Sequence, residues 1–331
     1  MRDETAHRPH ERLARHLADD LAAVNALIRE RMTSRHAPRI PEVTAHLIDA
    51  GGKRLRPMLT LASARLLGYR GEHHIRLAAT VEFIHTATLL HDDVVDGSEK
   101  RRGRPTANLL WDNKSSVLVG DYLFARSFQL MTETGKLDVL RILSDAAATI
   151  AEGEVLQLTA AQNLSTDESV YLQVVRGKTA ALFAAACEVG AVISEAGAAA
   201  RSALHDYGDA LGIAFQIADD LLDFSPEAKI GKNLGDDFRD RKLTLPLIKA
   251  IAAAEGEERA FWVRTIEQGR QQEGDLETAL ALMERHGSLE ATRAEALAWA
   301  GRAKAALAAL PDDPIREMLS DMAEYVVARC T

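Results

Sequence analysis

Apolar positions recur along most of this chain at the spacing of an α-helix. From Glu11 to Met32 the series Leu13, Leu17, Leu21, Val24, Leu27 and Ile28 advances in steps that keep one face apolar, which predicts a helix. A short helix should follow, with Pro41 in its first turn and Gly51-Gly52 closing it. Further helices are predicted over 58–68 and 74–97. No proline occurs between Pro105 and Pro226, and that run accommodates long helices over about 117–133, 137–163, 167–194 and 198–224. From Leu243 onward the chain reads as helical and Ala-rich. No Val/Ile/Thr alternation bounded by turn residues supports a strand. Residues 1–10 are polar and are expected to be disordered.

Composition narrows the class. A length of 331 residues suggests about two domains, yet no Gly/Ser-rich or Pro-rich linker divides the chain, so residues 11–331 are read as one domain. An apolar fraction of 47% allows a large core, and 5% aromatics with abundant Ala favour closely packed helices over sheets. The net charge of −9 argues against a nucleic-acid partner, whose binding rests on neutralising phosphates with Lys and Arg. Cys187 and Cys330 have neither CxxC spacing nor a partner His pattern for zinc, and both fit a reducing cytosol. The N-terminus lacks an apolar secretory core, and no run of about 18 apolar residues predicts a transmembrane segment. The expected location is cytoplasmic.

Candidate chemistry centres on His85–Thr106, HTATLLHDDVVDGSEKRRGRPT. Asp92 and Asp96, four apart, share a helix face and aim two carboxylates at one point. Like charges at that spacing repel, and a cation between them removes the conflict. Mg²⁺ suits such a pair, being held by one or two carboxylates and completing its shell with waters and substrate phosphates. The run Lys100, Arg101, Arg102 and Arg104 suits the phosphate itself. His85 and Thr88 lie within about 40° of Asp92 on an ideal wheel. Taken alone, a DDxxD is also what a solvated acidic face looks like.

Three further segments bear on that choice. Gly51-Gly52-Lys53-Arg54-Leu55-Arg56-Pro57 puts three cations just before a helix, fitting either an anion site at that helix start or a solvated basic turn. Arg176-Gly177-Lys178-Thr179 interrupts a strongly apolar helix, either at an exposed face or as a cation facing an anionic cavity. The DDxxD spacing then repeats at Asp219, Asp220 and Asp223, with Gln216 on the same side as Asp219 and Asp223. A loop holding Lys229, Lys232, Arg239, Arg241 and Lys242 among Asp236, Asp237 and Asp240 follows. Two DDxxD segments on long apolar helices, each followed by cations, suggest metals bridging carboxylates to two bound anionic groups.

These segments resemble the trans-prenyltransferase, or polyprenyl diphosphate synthase, family over nearly the whole chain from Glu11. The resemblance rests on GGKRLRP at 51–57, HDDVVDGSEKRRG at 91–103, GDYLFARSF at 120–128, EGEVLQL at 152–158, GKT at 177–179, FQIADDLLDF at 215–224 and GKNLGDDFRDRKLTLP at 231–246. It implies an all-α fold, an isoprenoid-synthase-type bundle of antiparallel helices around a deep central cavity, usually as a homodimer. It also implies ionisation of an allylic diphosphate (farnesyl or geranylgeranyl), attack by the double bond of isopentenyl diphosphate, and loss of a proton to the released diphosphate. By the same resemblance Asp92, Asp96 and Asp219 ligate Mg²⁺, supported by Asp93, Asp220 and Asp223. Arg101, Lys178, Lys232 and Lys242 contact the allylic diphosphate. Lys53, Arg56, His85 and Arg102 hold isopentenyl diphosphate, and Thr179 and Gln216 lie beside the reacting carbons.

Product length should depend on what blocks the cavity below the metals. Short-chain relatives carry a bulky residue four or five positions before the first Asp, where this chain has Thr88 and Ala87. Small residues there imply a long product, octaprenyl to decaprenyl, of the kind that becomes a quinone side chain, with a peripheral membrane contact for its release. Phe124, Phe128 and Met131 are candidates for a deeper floor, with ordinary core packing as the alternative. A short-chain farnesyl or geranylgeranyl diphosphate synthase, a terpene cyclase and a non-catalytic subunit of a heteromeric enzyme are the rival readings. The small residues, the second DDxxD and the intact aspartates speak against each in turn.

Overall fold

The computed structural model describes residues 8–49, 52–225 and 234–328. Helices build nearly all of it: α1 (Pro9–His16), α2 (Ala18–Arg31), α3 (Arg39–Asp49), α4 (Leu55–Leu66) and α5 (His73–Val95) come first. A ribbon of β1 (Lys100–Arg101) and β2 (Arg104–Pro105) leads to α6 (Ala107–Leu110), α7 (Asn113–Thr132) and α8 (Leu137–Ala160). Then come α9 (Glu168–Val175), a π-helical turn (Arg176–Ala180), α10 (Ala181–Ile193) and α11 (Ala198–Leu222). The chain ends with α12 (Asp236–Arg239), α13 (Leu245–Ala253), α14 (Gly256–Trp262), α15 (Asp275–Arg285), α16 (Ser288–Ala306) and α17 (Pro314–Ala328). No described helix is long and apolar enough to cross a membrane.

The described residues form two compact units. The first comprises those of Met1–Ala147, Leu182–His205 and Ala309–Leu319. Its centre is α5, which packs against α2, α4 and α7. This helix is apolar on nearly every side, with Leu77, Val81, Phe83, Ile84, Ala87 and Leu90 all buried, as befits a helix enclosed by neighbours. Caps fix the starts of its neighbours: the Asp112 carboxylate accepts from the Ser115 N–H at 2.6 Å, opening α7.

The second unit comprises the described residues of Ala148–Ala181, Asp206–Ala308 and Ser320–Thr331. Here α13 packs against α9, α15 and α16, and Tyr207, Phe238 and Trp262 are fully buried. Asp167 caps α9 through the Val170 N–H at 3.0 Å. The π turn lies where the Gly177 Cα approaches α8: a Cβ built on Gly153 would lie 2.7 Å from the Lys178 N, and one on Gly177 would lie 2.9 Å from the Gly153 Cα. Only glycine permits that approach, which explains both residues in EGEVLQL and GKT.

Several expectations are corrected. The helix over Glu11–Met32 is two helices, broken at Leu17, whose N–H still bonds the Leu13 carbonyl. Leu17 remains buried, so the apolar spacing gives no sign of the break. Of the expected disordered start, residues 8–10 are described and do not fit it: α1 begins at Pro9, in the N1 position proline favours, and His10 is already buried. The helix over 167–194 is interrupted by the π turn. A short antiparallel ribbon exists where no strand was expected, pairing Lys100 with Pro105 and Arg101 with Arg104. Its two turn residues, Arg102 (φ 52°) and Gly103 (φ 75°), are both left-handed, as a tight hairpin of right-handed twist requires.

Candidate active site

Each aspartate cluster occupies the end of its helix. Asp92 lies in the last turn of α5 and Asp96 is its C-cap, with the Asp96 N–H bonded to the Asp92 carbonyl at 2.8 Å. In the second unit Asp219 and Asp220 lie in the last turn of α11, and Asp223 follows it. Neither last turn contains a basic residue. A helix C-terminus already carries partial negative charge, so carboxylates are disfavoured there by both the dipole and one another. A bound cation relieves both conflicts. Among the described residues no group of three or more His, Cys, Asp or Glu is arranged to hold a metal unaided. The all-oxygen carboxylate sets fit Mg²⁺, which takes few protein ligands and the rest of its shell from water and phosphate.

Within each cluster the aspartates divide their tasks. The Asp93 side chain is buried and receives Arg101 Nε at 2.9 Å and Nη2 at 2.8 Å, which ties the β-ribbon back to α5. Asp223 is buried and accepts from the Asp237 N–H at 3.0 Å, anchoring the chain after residue 233. Asp92 and Asp219 are half-buried and Asp96 is exposed, so these carboxylates retain access to solvent.

A cationic cluster lies below Asp92 in the first unit. Arg56 Nη1 donates to His85 Nε2 at 3.2 Å. Arg54 pairs with the buried Glu82, one turn before His85 on α5. The Arg102 guanidinium lies over Gly52, where a Cβ would come within 2.9 Å of its Nη1. Burial lowers the Arg56 pKa to about 10, with Glu82 opposing and Arg102 adding to the shift. Burial, and then Arg56, Arg102, Arg101 and Arg54, push His85 well below its usual 6.5, so its imidazole is neutral and accepts a hydrogen bond. Guanidiniums so gathered form a receptor for a multiply charged anion. Arg54 (φ 49°), Arg102 (φ 52°) and Arg241 (φ 56°) are left-handed without being glycine, as are Gln162 (φ 62°) and Glu195 (φ 54°) away from the basic segments.

The second unit has a cleft of about 540 Å³ lined in part by Tyr171, Lys178, Thr179, Gln216, Asp220 and Lys242. The Lys178 ammonium lies 2.9 Å from the Glu154 carboxylate. Thr179 Oγ1 donates to Gln216 Oε1 at 2.8 Å, and Gln216 Nε2 donates to Asp220 Oδ1 at 2.9 Å. Lys242 Nζ lies 3.5 Å from Asp237. Burial opposes the charge on Lys242, but Asp237, Asp220 and Asp219 outweigh it and raise its pKa. Burial lifts the Asp220 carboxyl to about 7 against the lowering effect of Lys242.

The structure thus brings Arg56, His85 and Arg102 together, and separately Lys178, Thr179, Gln216, Asp220 and Lys242. Lys53 is exposed at the start of α4, and Lys232 lies outside the described residues. Ala87 is fully buried and Thr88 half-buried, its hydroxyl donating to the His85 carbonyl at 2.8 Å. Phe124 packs against His91 at 5.9 Å. Phe128 is 44% exposed, which does not fit the floor of an enclosed tunnel and corrects that expectation. Sequence reasoning did not single out Glu82 or Tyr171, and it named Asp237 and the EGEVLQL segment that holds Glu154 without giving either acid a role. Glu82 and Glu154 left a trace as charges in apolar helical runs; the phenol of Tyr171 left none.

The polyprenyl synthetase family signature matches residues 37–283. The octaprenyl diphosphate synthase of Escherichia coli (strain K12) is 45% identical over 313 residues, covering 94% of this chain and 96% of that one. A decaprenyl diphosphate synthase from Rhodobacter capsulatus has a crystal structure matching at a TM-score of 0.95 and 71% identity, over 97% of this chain and 99% of that one. The polyprenyl synthase of Caulobacter crescentus CB15, crystallised with calcium and isoprenyl diphosphate, matches at 0.92 and 51%, over 97% and 98%. The chain belongs to the polyprenyl synthetase family. It is an all-α prenyltransferase.

The state of His85 has a consequence for stability. Its folded pKa lies below the unfolded value of 6.5, so its contribution is present above that value and is lost as pH falls from it toward the folded one. His85→Gln should therefore lose less stability than the wild type between about pH 8 and about pH 5.5, read from urea midpoints. Equal losses in the two proteins would refute the shift.

Proposed function

We propose that this enzyme condenses isopentenyl diphosphate head-to-tail onto an allylic diphosphate, farnesyl or geranylgeranyl, repeating the step to a long all-trans product of octaprenyl to decaprenyl length. The observation that carries this reading is the placing of each DDxxD at a helix end, where only a cation relieves the crowded negative charge. Asp92, Asp96 and Asp219 are the groups that would hold Mg²⁺. When bound, Mg²⁺ neutralises the diphosphate and stabilises the charge that develops on it as it leaves.

The chain's own residues then divide the remaining work. Lys178 and Lys242 present ammonium groups to the allylic diphosphate, joined by Arg101 and Lys232. Lys53, Arg56, Arg102 and His85 hold the second diphosphate, the neutral imidazole fixing the Arg56 fork. Thr179 and Gln216 offer oxygen lone pairs to the allylic cation. Positioning two reactants and stabilising a leaving group supply most of what this reaction needs. No side-chain nucleophile enters the scheme.

The length of the product follows from room below Asp92. Ala87 and Thr88 are small, and moving a blockage by one helical turn changes depth by about 5 Å, roughly one isoprene unit. The relatives named for octaprenyl and decaprenyl products support the long-chain reading over a farnesyl or geranylgeranyl one.

The homodimer is part of the same reading. Leu109 and Leu110 on α6, and Val117, Leu118 and Phe128 on α7, are exposed apolar residues on successive helices. Val117 and Phe128 lie within about 20° of one another on the wheel, and a stripe of this kind is suited to a second copy of the chain.

The direct test incubates the pure protein with Mg²⁺, farnesyl diphosphate and isopentenyl diphosphate and measures product length by thin-layer chromatography; no product would sink the reading. Asp92→Ala and Asp219→Ala should each lower turnover about a hundredfold or more with unchanged circular dichroism. Near-normal turnover would remove the metal assignment. Ala87→Phe should shorten the product by roughly one isoprene unit or more, and an unchanged product would take Ala87 off the path. Leu118→Glu should shift sedimentation toward the monomer, whereas an undisturbed dimer would place the interface elsewhere.

A further inference from the structure

Tyr171 has no part in the scheme above. It is 4% exposed and lies on α9, and its hydroxyl donates to Asp220 Oδ2 at 2.6 Å. Asp220 Oδ1 accepts from Gln216 Nε2 at 2.9 Å, so both carboxylate oxygens have a donor. Thr179 Oγ1 donates to Gln216 Oε1 at 2.8 Å. Tyr171, Asp220, Gln216 and Thr179 all line the same cleft. Tyr171, Asp220 and Thr179 are all buried, and Gln216 is the half-buried link between them in the hydrogen-bonded chain.

Direction matters in this chain. Tyr171 and Gln216 both donate to Asp220, and Thr179 donates to Gln216. Turning the Gln216 amide over would set its N–H₂ against the Thr179 hydroxyl and its carbonyl against a carboxylate oxygen, losing the bond to Asp220. A carboxylate held from the far side by a phenol resists the small rotation that would permit this, and linked hydrogen bonds reinforce one another. The Thr179 proton is thereby committed to Gln216, which leaves only its oxygen lone pairs for the cleft. At Thr179 a cation therefore meets an acceptor and not a donor.

We propose that Tyr171 is a positioning residue for prenyl transfer: through Asp220 and Gln216 it holds the Thr179 hydroxyl with its lone pairs toward the allylic cation. This deepens the reading given under Proposed function and rests on it. The sequence of bonds breaks nothing and moves no proton during turnover. Its effect is to keep the Thr179 and Gln216 dipoles in place before the charge develops, when reorganisation would otherwise add to the barrier.

Tyr171→Phe in the full-length protein removes the first link alone. Its kcat should fall about tenfold, the loss expected for one hydrogen bond to a charged group, with both diphosphate KM values within about twofold. An analogue of the allylic diphosphate with an ammonium centre in its prenyl part, assayed as an inhibitor, should weaken about tenfold, while an allylic S-thiolodiphosphate, whose prenyl part is neutral, should bind unchanged. In a Gln216→Leu background the same substitution should add less than about twofold, because the link it acts through is gone. Unchanged kcat, equal weakening of both inhibitors, or the full tenfold loss without Gln216 would each overturn the proposal. Should Tyr171→Phe fail to fold, Tyr171→Met removes the same hydroxyl, and the inhibitor comparison decides in the same way. Absence of prenyl product from the wild type would instead remove the underlying reading, so the two failures are distinct.

Discussion

Carboxylates at the negative end of a helix are the constraint on which the rest of this structure depends. Asp92 and Asp96 close α5, and Asp219 and Asp220 close α11, with no basic residue in either last turn. Ordinary helix design would place Lys or Arg there. Keeping aspartates instead leaves a crowding of negative charge that a cation relieves, and Lys242 already lies in the field of Asp237, Asp220 and Asp219. Asp93 and Asp223, which belong to the same motifs, escape it by turning inward, to Arg101 and to the Asp237 N–H. Each motif therefore leaves part of its acidity open to solvent and uses part as a fastening, and the inward aspartates hold in place the segments that carry the cations.

The cationic side shows the complementary conflict. Arg54, Arg56 and Arg102 crowd around His85 with Glu82 as a buried counter-charge. Burial depresses Arg56 and Arg102, so each guanidinium gains from an anion that restores the balance. Under the proposed function a diphosphate is that anion, met here by direct contact and at the aspartates through metal.

Much of this was legible in the sequence, for a physical reason. Helical periodicity is local, so the long helices over α5, α7, α8 and α11 appear in the pattern within a few residues of their ends. The DDxxD repeats and the basic segments are also contiguous, and their spacing alone places side chains on one face. What the pattern hides is backbone irregularity that preserves spacing. The break at Leu17 keeps Leu17 buried, and the Lys100–Pro105 ribbon rests on Arg102 adopting a left-handed φ that arginine does not advertise. Long-range partners are hidden for a different cause. Nothing near Tyr171 in sequence points to Asp220, because the bond between them closes 49 residues of chain. Phe128 was misjudged as a tunnel floor because an exposed aromatic and a buried one look alike in a string of letters.

The π turn at Arg176–Ala180 holds one residue more than a continuous helix has room for. Deleting any one of those residues would heal the hydrogen-bond ladder and give a more regular helix. The helical segments on either side would keep their directions, while the residues of the turn itself would move to other faces. Lys178 and Thr179 could then no longer face Glu154 and Gln216 together. The irregularity is therefore what sets Lys178 and Thr179 apart: a chain without the extra residue would have a sounder helix and would separate these two side chains from Glu154 and Gln216.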